Sequence, residues 1–69
     1  MTPSQRKIVE YLQDSENGLT VYQMIRLTHQ NDVRKRISEL IRDGYQIISQ
    51  WEFNGGKRWK RYFYELSEN

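Results

Sequence analysis

Residues 32–45, DVRKRISELIRDGY, leave little room for anything but an amphipathic helix that stops abruptly. Val33, Ile37, Leu40 and Ile41 recur at helical spacing and form one apolar stripe. Asn31, Lys35, Ser38 and Arg42 fall on the opposite side, with Arg34 beside them. Gly44 follows the last periodic residue, where a left-handed C-cap belongs. Tyr45 and Ile47 then open a β pattern, so a basic-faced helix over about residues 32–43 must feed straight into a strand.

The preceding residues supply two more helices. Thr2-Pro3-Ser4-Gln5 has capping-box spacing with proline at the first helical position. A helix over about residues 3–14 follows, burying Ile8, Val9, Tyr11 and Leu12 and turning Arg6, Lys7, Glu10 and Gln13 to water. Asn17-Gly18 breaks the chain with residues that tolerate positive φ. Thr20 and Gln23 repeat the capping-box spacing, and Leu19 and Met24 sit at the positions of a hydrophobic staple. The second helix is therefore short, about residues 21–28, with Tyr22, Met24, Ile25 and Thr28 turned inward. A turn over 28–31 leads to the third helix, where Asn31 is the expected cap and Asp32 complements the dipole.

Beyond Gly44, two aromatic and β-branched runs, about 46–53 and 58–66, flank Asn54-Gly55-Gly56-Lys57, a strong hairpin signal. A Gly55-Gly56 loop pairs Ile47 with Tyr64, Ser49 with Tyr62 and Trp51 with Lys60. Ile47, Trp51, Tyr62, Tyr64 and Leu66 then lie on the core face, and Ile48, Gln50, Glu52, Trp59, Arg61 and Phe63 point away. Ser67 to Asn69 read as a free end.

Composition narrows the function. The 69 residues support one domain, 1–69. A chain this short buries only about 60% of its unfolded surface, so most apolar residues are needed for the core. With no cysteine and one histidine, His29, there is no disulfide framework and no metal-ligand spacing. The carboxylates do not cluster for acid–base work and there is no glycine-rich phosphate loop, so neither an enzyme nor a cofactor is expected. No apolar run resembles a signal peptide or spans a bilayer, which predicts a cytoplasmic protein with no membrane contact. The formal charge is only +2, but its distribution is uneven. Arg34, Lys35, Arg36 and Arg42 form one basic cluster and Lys57, Arg58, Lys60 and Arg61 another.

The order of helix, short element, helix, turn, helix and hairpin resembles the small winged helix-turn-helix domains of bacteriophages and prophages. The run Arg36-Ile37-Ser38-Glu39-Leu40-Ile41-Arg42-Asp43-Gly44-Tyr45-Gln46-Ile47 is similar to the recognition-helix and wing junction of the biotin-repressor DNA-binding domain. Leu19-Thr20, Arg61-Tyr62 and Leu66 extend the likeness over most of the chain. Met24 departs from the pattern by standing where such domains carry a small residue, and Thr28 or His29 stands where glycine is common.

The resemblance implies an α+β fold, three helices followed by a two-stranded hairpin wing, that binds double-stranded DNA and regulates transcription or phage development. In that reading Arg34 and Lys35 donate to guanine, Asn31 or Gln30 takes adenine, and Ser38 and Arg42 share the same face. Lys57, Arg58, Trp59, Lys60 and Arg61 hold the adjacent backbone, and Thr20 and Tyr22 add a phosphate contact. The protein is expected to be a monomer that can pair on DNA.

Several of these residues also have structural uses. Asp32–Arg36 and Lys35–Glu39 have the spacing of helix-stabilising ion pairs, Arg36 borders the apolar stripe, and lysine and arginine keep edge hairpins soluble. Trp51 reads as a core residue. Trp59 is open to three uses: stacking on a nucleotide, packing on Arg61, or anchoring a protein. The competing function is a protein-interaction module that modulates a host protein. Binding of single strands needs an aromatic platform, for which Trp59 is the one ring this register leaves outward among the cations.

Overall fold

Both capping boxes form. In the computed structural model, which describes residues 1–65, the Thr2 hydroxyl accepts from Gln5 N at 3.2 Å and the Gln5 side chain accepts from Thr2 N at 3.0 Å, starting α1 (Pro3–Gln13). Thr20 and Gln23 repeat the exchange at 3.1 and 2.9 Å and start α2 (Val21–Thr28). The third helix, α3 (Val33–Arg42), begins differently. Asp32, not Asn31, is its N-cap, and no side chain caps the backbone there. The Asp32 carboxylate has turned instead to Arg36, which it meets at 3.0 Å. At the other end Gly44, φ +96°, makes a Schellman turn. Tyr45 N donates to Leu40 O at 3.0 Å and Gly44 N to Ile41 O at 3.1 Å.

The strands are β1 (Leu19–Thr20), β2 (Ile47–Asn54) and β3 (Lys57–Tyr64). The β2–β3 register is the expected one, Ile47 opposite Tyr64, Ser49 opposite Tyr62 and Trp51 opposite Lys60. Gly55 and Gly56 both take positive φ, 58° and 78°, as a tight two-residue turn requires. The sheet itself departs from expectation. Leu19 and Thr20 pair with Tyr62 and Arg61, so the antiparallel sheet has three strands in the order β1-β3-β2 rather than two. The architecture is α+β, with three helices and this sheet among the described residues. The expected core place of Leu66 and the free end at 67–69 lie outside them.

All six elements but β3 place a side chain in the buried cluster: Ile8, Val9 and Leu12 from α1, Leu19 from β1, Met24 from α2, Val33, Ile37 and Leu40 from α3, and Ile47 from β2. Tyr62 and Tyr64 on β3 pack against its edge. Three residues expected inside are not. Ile41 is 47% exposed because Val33, Ile37 and Leu40 already define the inward line, and the next residue lies a further 100° round the helix. Tyr22 is 68% exposed, being about 200° from Met24 on the same wheel. Trp51 is 48% exposed although it shares the face of Ile47. Four residues along, β2 has run about 13 Å further, past the body that covers Ile47.

A polar staple ties α1 to α3. Buried Gln5 donates through Nε2 to Glu39 Oε1 at 3.0 Å, and Arg36 donates to the same oxygen at 2.8 Å. Glu39 is thereby committed to Arg36 and Gln5, and the expected Lys35–Glu39 pair is not among the ion pairs of the described residues. Between α2 and α3, His29 sits in the left-handed region at φ 58°, ψ 34°. An L side chain is strained there, and glycine is not. His29→Gly is expected to add about 0.5–1 kcal/mol of stability. That raises the thermal midpoint of a domain this size by roughly 2–8 °C in circular dichroism melts. An unchanged midpoint would mean that the imidazole makes a contact offsetting its strain.

Candidate nucleic-acid interface

The start of α2, the outer face of α3 and the projecting half of the hairpin enclose a cleft. Thr20 and Tyr22 line it from the first, Arg34 and Ser38 from the second, with Asn31 from the turn just before that helix, and Lys57, Arg58, Trp59 and Lys60 from the third. Nine of the thirteen residues singled out from sequence therefore meet in one place. Val21, Ile25, Trp51 and Tyr62 complete the lining. Four cations and no carboxylate line the cleft among the described residues.

Each of the four acidic residues of α3, its caps and β2 lies against an arginine. Asp32 and Glu39 are held by Arg36, and Asp43 lies 3.7 Å from Arg42. Glu52 accepts from Trp59 Nε1 at 2.7 Å and from Arg61 Nε at 3.0 Å. What remains in the cleft is a net positive surface with amide and hydroxyl groups between the charges. Such a surface suits a polyanion.

The other four residues from the sequence reading lie outside the lining. Lys35 and Arg42 are exposed on α3. Gln30 turns toward α1, its Nε2 3.5 Å from Ser4 O and its Oε1 buried without a hydrogen-bond partner. Arg61 works as a strut. Besides Glu52 it reaches Gly18 O at 3.3 Å and Gln23 Oε1 at 3.5 Å, joining the hairpin to the entry of α2. Trp59 is half-buried at the cleft wall, and its indole N–H donates to Glu52, the carboxylate that also accepts from Arg61.

Trp51 is the residue that sequence reasoning missed. Its ring has the Arg58 guanidinium carbon 5.0 Å and the Lys60 ammonium 5.1 Å from its centroid, both within cation–π range. The signal was present in the register, since Lys60 faces Trp51 directly and Arg58 lies two residues along on the same face. The ring holds both long side chains against the cleft wall and reduces the rotamer freedom they would lose on meeting a ligand.

The Arg61 guanidinium, and after it the Trp59 N–H, hold the Glu52 carboxyl below the usual carboxylate range. A carboxylate whose folded pKa is depressed stabilises the fold above its unfolded value, about 4.3, and loses that contribution as pH falls through the folded value. Glu52→Gln should therefore melt earlier than the native protein at neutral pH, and the two melting curves should converge as the solution is acidified below about pH 4. A gap independent of pH would assign the loss to packing instead.

No protein-family model, curated protein or solved structure matches this chain.

Proposed function

We propose that the chain is a winged helix-turn-helix that binds double-stranded DNA and acts as a regulator of transcription or phage development. The observation that carries this reading is the cleft itself, where the exposed face of α3 and a cationic hairpin converge and, among the described residues, no carboxylate lines the wall. The ten residues of α3 make a rod about 15 Å long whose exposed face carries Arg34, Lys35, Ser38 and Arg42, with Asn31 exposed just ahead of its N-cap. The major groove admits such a helix, Arg34 and Lys35 match guanine O6/N7, and Asn31 matches adenine N6/N7. Lys57, Arg58 and Lys60 then meet phosphates as the wing, while Thr20 and Tyr22 contact the backbone at the start of α2. Gln30 and Arg61 hold the scaffold. Helix-turn-helix proteins often act as dimers, and pairing on DNA is the mode that fits a small monomer.

The test is a titration of labelled random-sequence duplex at several salt concentrations. Neutralising about five phosphates gives a log K against log salt slope near −4 to −5. A slope shallower than about −1 removes the mechanism. No binding at low salt would favour a host-protein partner anchored on exposed Trp51 and Phe53, to which Arg34→Ala should be indifferent.

A further inference from the structure

Of the exposed large apolar residues on β2, Ile48, Trp51 and Phe53, the two rings lie close together on one face. Phe53 is 72% exposed and lies two residues beyond Trp51 on the same face of β2, about 7 Å further along. Tyr22 faces the same cleft from α2. Arg58 and Lys60 sit against Trp51. Cations with exposed rings between them present two kinds of contact, one for phosphates and one for the flat faces of bases.

An intact duplex uses only the first. Its base faces are covered by neighbouring bases, and its grooves expose base edges, which hydrogen-bonding side chains read. An unpaired strand offers both, because each base has an accessible π-face and stacking on an aromatic side chain tolerates any sequence. The α3 side of the cleft, with Asn31 and Arg34, carries edge-reading groups, while the hairpin side carries rings.

We propose that the preferred ligand is DNA in which duplex adjoins a short unpaired segment. Helix α3 sits on the duplex, Trp51 and Phe53 stack on the unpaired bases, and Arg58 and Lys60 hold the phosphates of that strand. This rests on the duplex-binding reading above and adds the class of DNA structure to it.

Three labelled DNAs decide the matter at one salt concentration: a fully paired duplex, the same duplex with a short central bubble, and the unpaired strand alone. The native protein is expected to bind the bubble at least about tenfold more tightly than the paired duplex, the ratio one base stack supports. Phe53→Ala, at an exposed site where folding is not at stake, removes one of the two stacks and should lower that ratio by about fivefold or more while leaving paired-duplex affinity nearly unchanged. Trp51→Phe keeps a ring and should keep the preference. Arg34→Ala should weaken paired and bubbled DNA together. Equal affinity for paired and bubbled DNA, or a preference that Phe53→Ala leaves undiminished, overturns the proposal and leaves duplex binding standing. The single strand alone binding as tightly as the bubble also overturns it, since α3 would then contribute nothing. Binding to none of the three removes the duplex reading, and this one with it.

Discussion

Gly18→Ala is expected to cost this domain about 2–4 kcal/mol. Two effects add. Gly18 has φ +73°, where an L residue is strained by about 1 kcal/mol or more. A Cβ built there would also lie 2.6 Å from the Tyr62 carbonyl oxygen and 2.7 Å from the Phe63 ring. The carbonyl belongs to β3, the central strand, which is paired on both sides and has little freedom to retreat. Overpacking against such a neighbour costs a further ~1–3 kcal/mol. A chain of this length has only about 3–10 kcal/mol in total, so the thermal midpoint should fall by roughly 10–25 °C.

Gly55→Ala separates the two contributions. Its φ is +58°, but nothing lies within 4 Å of its added Cβ, so it should lose only the conformational part, about 1 kcal/mol. Equal losses at the two sites would show that the turn yields to the methyl group. The consequence reaches the cleft, because the turn at Gly18 presses β1 onto β3 and supplies a carbonyl to Arg61. Displacing it moves the first turn of α2, with Thr20 and Tyr22, away from the hairpin.

That dependence also explains what the sequence made legible. Capping boxes, the glycine stop at 44 and the Gly55-Gly56 turn are local signals, each decided within a few residues, and each forms as read. The hairpin register follows from its turn and came with it. β1 has no such signal, since two residues cannot show an alternation, and it exists because β3 has an edge within reach. Trp51 is the same lesson in reverse. Alternation along the strand identifies the face correctly, but only the three-dimensional body decides how far along the strand that face is covered. Asp32 and Asn31 differ for a third reason. Both can cap a helix, but Asp32 holds the N-cap position by its backbone alone, because Arg36 draws its carboxylate into the staple with Glu39 and Gln5.

The paired substitution Arg58→Ala/Lys60→Ala carries the largest expected effect on binding, and its salt dependence tells why. If each cation neutralises one phosphate, each removes about 0.9 from the slope of log K against log salt, so the pair should flatten it by nearly 2. When counterion release is the whole source of those contacts, the loss depends on the salt itself, about 200-fold at 50 mM and about 20-fold at 200 mM. It should also be uniform across DNA sequences, because phosphates carry no sequence information. Arg34→Ala should behave oppositely, weakening the preferred site by about 1–3 kcal/mol while changing which base is preferred. Gln30→Ala should change neither, since that amide faces α1. A loss on removing Arg58 and Lys60 that is the same at every salt concentration would mean that the two act through Trp51, by setting the position of the ring, rather than through the phosphates.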